Sequence, residues 1–150
     1  MARTFSTPTE RYFLRRGRNK EVVDEVLYES FSGVLVRDFY AAYNHYPGLK
    51  QRCRAHLMRD IHELRVVYPE DNELAQWAEA VHKLYSEAKT VVRPQPQQRR
   101  QSQKRLEQRL LTLCRPFVDD PLAVQGKVCR RIERYITELF VFVSVPRSDQ

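Results

Sequence analysis

From residue 57 onward the apolar side chains recur every three or four residues, and this spacing constrains the fold more than any other feature. Leu57, Ile61, Leu64 and Tyr68 make one such face, closed by Pro69. Leu74, Trp77, Val81, Leu84 and Tyr85 make the next. A period near 3.6 lines such side chains along one stripe of a helix, whereas a strand alternates every two residues. After a break at Arg93-Pro94-Gln95-Pro96, a third helix is expected near residues 98–114, with Leu106, Leu110 and Leu113 inward. Arg115-Pro116 and Asp120-Pro121 bracket a turn, because the residue before a proline avoids the helical region. A fourth helix carries Val128, Ile132, Ile136 and Leu139, with Phe140, Phe142 and Val143 beyond it.

The first third reads differently. Arg11-Tyr12-Phe13-Leu14-Arg15 is short, aromatic and flanked by Thr7-Pro8 and Gly17, as a strand would be. Asn19 then suits a helix N-cap, with Glu21 in the first turn and Val22, Val23, Val26 and Leu27 on one face. Gly33-Val34-Leu35-Val36 is a continuous apolar run and predicts a strand buried on both faces. A strand, a helix and a strand in succession predict parallel pairing with a right-handed crossover. Asp38 then stands at the carboxyl end of the second strand, and residues 50–54 suit one more short strand after the Pro47-Gly48 turn. The expected fold is therefore α/β and mostly helical, with few strands in the N-terminal third and an all-α remainder. Two or three strands are too few for a sheet that stands alone.

A chain of 150 residues is long enough for one domain with a real core. No apolar run nears the roughly 18 residues of a membrane helix, and residues 1–10 lack the apolar core of a signal peptide. No membrane role is expected. Three widely spaced cysteines, Cys53, Cys114 and Cys129, suit free thiols in a reducing cytoplasm.

The net charge is +7, from 26 Lys and Arg against 19 Asp and Glu. Its distribution points toward nucleic acid. Arg3, Arg11, Arg15, Arg16, Arg18 and Lys20 form one group, and Arg93, Arg99, Arg100, Lys104, Arg105 and Arg109 a second. The stretch 60–87 between them is acidic on balance. Phosphate neutralisation by Lys and Arg supplies much of non-specific DNA affinity, and arginine forks suit phosphate. Arg15, Arg16, Arg99, Arg100, Lys104 and Arg105 are the candidate DNA-binding residues; a solvated helix face explains the second group equally well.

Asp38 is the candidate for chemistry, because ligands and metals in α/β proteins gather beyond the carboxyl ends of strands. An ordinary loop or N-cap aspartate is the competing reading. Cys53-Arg54-Ala55-His56 supplies half of a zinc site at most. Tyr40, Tyr43 and Tyr46 suit base stacking or core packing. No Gly-rich phosphate loop and no nucleophile elbow is present.

Two strings carry a family resemblance. Gly33-Val34-Leu35-Val36-Arg37-Asp38-Phe39-Tyr40-Ala41-Ala42-Tyr43-Asn44 resembles the central motif of the insertion sequence 66 family transposases. Gln51-Arg52-Cys53-Arg54-Ala55-His56-Leu57-Met58-Arg59-Asp60 resembles the segment that follows it there. Glu21 to Leu27 and Cys129 to Arg134 match as well, so the resemblance covers nearly the whole chain in order. It implies a ribonuclease-H-like core in which two aspartates and a glutamate hold paired Mg²⁺ ions for DNA strand cleavage and transfer. Asp38 matches the second acid, as a catalytic residue and metal ligand, and Cys53 and His56 match a Cys-x-x-His string. On this reading residues 1–56 are a partial catalytic core and residues 57–150 a helical insertion leading toward the third acid.

The departures are specific. The family's first Asp lies upstream of the region matching residues 4–8, and its third acid lies in an Asn-Asn-x-Ala-Glu-Arg string that these residues do not contain. Arg54 replaces a usual Trp, and Arg37 a small polar residue. The expectation is a truncated transposase piece, inactive alone, that binds no Mg²⁺ stably and has DNA as its partner. The alternative is a non-catalytic basic DNA-binding module that modulates an intact transposase.

Overall fold

The computed structural model describes residues 2–5, 13–16, 21, 24, 33–41, 44–91 and 95–145. The fold is α/β and mostly helical. Strands β1 (Ala2–Phe5), β2 (Phe13–Arg16), β3 (Leu35–Arg37) and β4 (Lys50–Arg52) precede helices α1 (Arg54–Val67), α2 (Asn72–Lys89), α3 (Pro96–Val118) and α4 (Gly126–Arg134). A 3₁₀ turn at Ile136–Glu138 and the short α5 (Val141–Ser144) end the described chain. Two compact units divide it, Met1–Lys50 and Gln51–Gln150.

In the first unit β1 and β2 pair antiparallel, with Arg3 opposite Arg15 and Phe5 opposite Phe13. The strand expected over 33–36 is displaced to Leu35–Arg37 and pairs with β4, not with β2. The parallel strand–helix–strand unit is therefore not among the described pairings. Of its expected helix, Glu21 and Asp24 are helical, and the rest, including Asn19, Val22, Val23, Val26 and Leu27, lies outside the described residues. β3 is not buried on both faces either. Leu35 and Arg37 are buried while Val36 is 62% exposed, so the strand alternates. The buried Arg37 guanidinium, bonded to Asn44, takes the inward position that an apolar residue was expected to fill.

The second unit follows the apolar stripes. Asp71 caps α2 by accepting the Leu74 N–H at 2.8 Å, and Glu73 sits in the first turn where the helix dipole favours it. Leu74, Trp77, Ala78, Val81, Leu84, Tyr85 and Ala88 bury its inner face. Pro96 opens α3, where a missing N–H costs nothing. Leu106, Leu110, Cys114 and Phe117 bury the inner stripe of α3. Trp77 meets Phe117 edge-on at 6.5 Å, and Tyr85 stacks on Phe140 at 4.8 Å.

Two expected helix ends move. Helix α3 runs through Pro116 instead of stopping near Cys114. Pro116 lies in the last turn, so it forfeits a single backbone bond, and the buried Phe117 just beyond outweighs that loss. The fourth helix stops early, at Arg134, and a 3₁₀ turn carries the chain to Leu139 and Phe140, both fully buried. Gly126 explains how α4 lies so close to α3. A Cβ there would sit 2.9 Å from the Phe117 carbonyl oxygen.

Replacing Leu110 with Ala is expected to cost about 2–5 kcal/mol of unfolding free energy, by the usual cavity penalty. Leu122→Ala, at a position 87% exposed, stays within about 0.5 kcal/mol of wild type. Gly126→Ala costs about 1–3 kcal/mol by overpacking backbone against backbone. Urea titration of the three variants measures this ranking.

Candidate functional site

Asp38 follows β3 directly and is half-buried. Its Oδ1 accepts the Tyr40 N–H at 3.0 Å, the bond of a turn formed by an aspartate two residues back. The loop beyond it is tied down from three sides. Arg37 donates from Nη2 to the Asn44 side chain at 3.0 Å. Lys50 Nζ donates to the main-chain carbonyls of Asn44 and Tyr46 at 3.2 and 3.0 Å. His45 pairs with Asp24 at 2.7 Å. Gly48 has no side chain because the Tyr46 ring occupies the space: a Cβ would fall 2.3 Å from its hydroxyl. Burial holds the Tyr46 phenol pKa above its ordinary value. Tyr40 is exposed, Tyr46 is buried, and Tyr43 lies outside the described residues. Tyr40 and Tyr46 thus do not share one stacking face.

Cys53 is the N-cap residue of α1, and its side chain makes no capping bond. His56 stands in the first turn with Nδ1 buried and unbonded among the described residues. No group of three or more His, Cys, Asp or Glu side chains that could hold a metal occurs among the described residues. Asp38 offers one carboxylate, and the described residues do not fit a two-metal centre around it.

The second basic group lies along α3. Arg100, Lys104 and Arg105 are exposed. Arg99 is half-buried, and its Nε donates to the Ser144 carbonyl at 3.3 Å, at the end of α5. Arg109 is held at 2.6 Å by Glu87 of α2. That partner keeps the Glu87 carboxyl below the ordinary glutamate pKa. Arg15 and Arg16 lie on β2; their side chains fall outside the described residues.

A polar cluster that the chain's spacing does not announce sits within the second unit. Arg52 is fully buried, with Nε 2.8 Å from Glu138 Oε2 and its guanidinium 3.7 Å above the Tyr135 ring. Gln51 beside it donates from Nε2 to the carbonyls of Arg52 and Leu139, and its Oε1 accepts the Phe142 N–H. Arg131 pairs with Asp60, joining α4 to α1. These partners lie some 70 to 90 positions apart in sequence, and no local signal could have matched them.

The model of the family described as "Transposase IS66 family" matches residues 1–147. The chain belongs to the IS66 transposase family. Within this member, the matched motif around Asp38 occupies β3 and the tethered loop after it, and the matched string around Cys53 and His56 opens α1. No curated protein and no solved structure matches the chain. Among the described residues no helix is long and apolar enough to cross a membrane.

Two outcomes follow from these contacts. Glu138→Ala leaves the buried Arg52 guanidinium without that carboxylate and is expected to cost about 3 kcal/mol in denaturant titration, with Glu138→Gln losing less. Arg109→Ala returns the Glu87 pKa upward toward the ordinary glutamate value, seen as a shifted carboxyl titration by NMR. In wild type the pair's small contribution is present above the ordinary glutamate pKa. It is lost as pH falls through the lowered one.

Proposed function

We propose that this chain serves DNA transposition by holding DNA through the basic face of α3, with Asp38 as one acid of a catalytic set. The observation that carries this reading is the exposed row Arg100, Lys104 and Arg105 on the first half of α3. Among the described residues its three cations make no acidic contact of the kind that engages Arg109 and Arg131. Such a row meets phosphates wherever a duplex presents them and reads no bases. Arg15 and Arg16 of β2 extend the same role in the first unit. Family membership supports DNA as the partner.

The family's ribonuclease-H-like core and acidic triad support Asp38 as the second acid, on the loop that leaves β3. When Mg²⁺ is bound by a complete triad, it supplies charge stabilisation for phosphoryl displacement. One carboxylate does not seat two such ions in fixed geometry. These 150 residues hold no second matched acid, so on this reading they do not cleave DNA by themselves. The second reading is a basic module that acts beside an intact transposase in the cytoplasm, and the exposed row on α3 supports it equally.

Titration of labelled duplexes at several salt concentrations tests the proposal. With three phosphates contacted, log affinity is expected to fall against log salt with a slope of about −2.7, at roughly −0.9 per contact. Replacing Arg100, Lys104 and Arg105 with Ala flattens the slope and weakens binding to all sequences alike. Arg99→Ala perturbs stability more than the slope, because that side chain is committed to Ser144. Absence of binding at low salt refutes the DNA-holding role. Mg²⁺-dependent nicking lost in Asp38→Ala refutes the non-cleaving one.

A further inference from the structure

The core contains two cysteines from different helices, Cys114 on α3 and Cys129 on α4, both with no solvent exposure and both free thiols. Their juxtaposition follows from the helix register. The first turn of α4 rests on the last turn of α3, since a Cβ on Gly126 would meet the Phe117 carbonyl at 2.9 Å and the Asp120 carbonyl at 3.4 Å. Three residues on from Gly126 is Cys129, and three residues back from Phe117 is Cys114. Helices running in opposite directions from a shared close contact bring those two positions together one turn later. The Cys129 thiol is accordingly the foremost influence on Cys114; with burial, it pushes the Cys114 pKa far up. The third thiol, Cys53, is half-buried at the start of α1.

We propose that Cys114 and Cys129 are a latent disulfide pair, which a peroxide-class oxidant closes to bolt α3 to α4. One thiol attacks the peroxide, breaking its O–O bond and giving a sulfenic acid and a first water. The other thiol attacks the sulfenic sulfur, forming the S–S bond and releasing a second water. Two thiols are oxidised, and one peroxide is reduced to two waters. Burial shields both groups from the oxidant, so closure follows local opening of the α3–α4 contact and is slow. Once formed, the bond closes the chain between residues 114 and 129 and restricts the unfolded ensemble.

The test oxidises the folded wild-type chain with hydrogen peroxide, blocks remaining thiols and maps tryptic peptides without reduction. Trypsin spares the bond before Pro116, so the expected product is peptide 110–127 joined to peptide 128–130 within one chain. The thermal midpoint is expected to rise by about 10 °C and return on adding dithiothreitol. Cys53→Ala preserves both results, and Cys129→Ala abolishes both. Because Cys129→Ala removes a core side chain, wild type oxidised in urea is the companion measurement; there the three cysteines scramble, whereas the native chain gives the 114–129 pair alone. Three results overturn the proposal: Cys114 and Cys129 still blockable after oxidation, either of them joined to Cys53 in the native chain, or a disulfide that lowers the midpoint.

Discussion

Every helix of the second unit except α1 depends on one buried stripe, the Leu106, Leu110, Cys114 and Phe117 side of α3. α2 and α4 pack on it, and so do the 3₁₀ turn and α5; α1 reaches the assembly through α2 and through the Asp60–Arg131 pair with α4. A stripe on a single helix can serve several neighbours because successive turns present the same face at different heights. Leu110 and Cys114 are completely excluded from water. The cost of disturbing this stripe falls on several helix contacts at once.

The polar cluster around Gln51 and Arg52 works differently. A buried guanidinium carries a large desolvation cost, which is tolerable only with a carboxylate and hydrogen-bonding partners in place. Glu138 supplies the charge and Tyr135 an aromatic face. Gln51 closes three backbone bonds, two of them to the chain's last turns. Apolar stripes set which faces meet. This cluster sets a single position for the 135–142 segment, since an offset would leave several buried groups without their bonds.

The charges divide by the same logic. Arg52, Arg109 and Arg131 each meet a carboxylate, on Glu138, Glu87 and Asp60. Arg99 serves a helix end, and Arg130 donates to the Val118 carbonyl at the end of α3. The other exposed cations of α3 are Arg100, Lys104 and Arg105 in its first half and Arg115 in its last turn. Asp38 stands on a loop organised by Arg37, Asn44, Lys50 and the His45–Asp24 pair. On the reading proposed, the 150 residues present DNA-holding cations on α3 and β2 and one catalytic acid on one loop.

The sequence by itself determined the helical two thirds, the large side chains of the α2 stripe but not Ala78 and Ala88, the turn after α1 and the family, because periodicity, proline and contiguous motifs are local in the chain. It also placed Asp38 directly after a strand. The tertiary structure decided what depends on distant neighbours. Val36 faces outward and Arg37 inward, since a three-residue strand in a small sheet has one covered side. Helix α3 passes through Pro116 because Phe117 has a pocket beside Trp77 to fill. Helix α4 ends at Arg134 so that Leu139 and Phe140 reach the core. Arg52 found Glu138, and Cys114 found Cys129, through helix register, which is set by packing and leaves no mark in the spacing of residues along the chain.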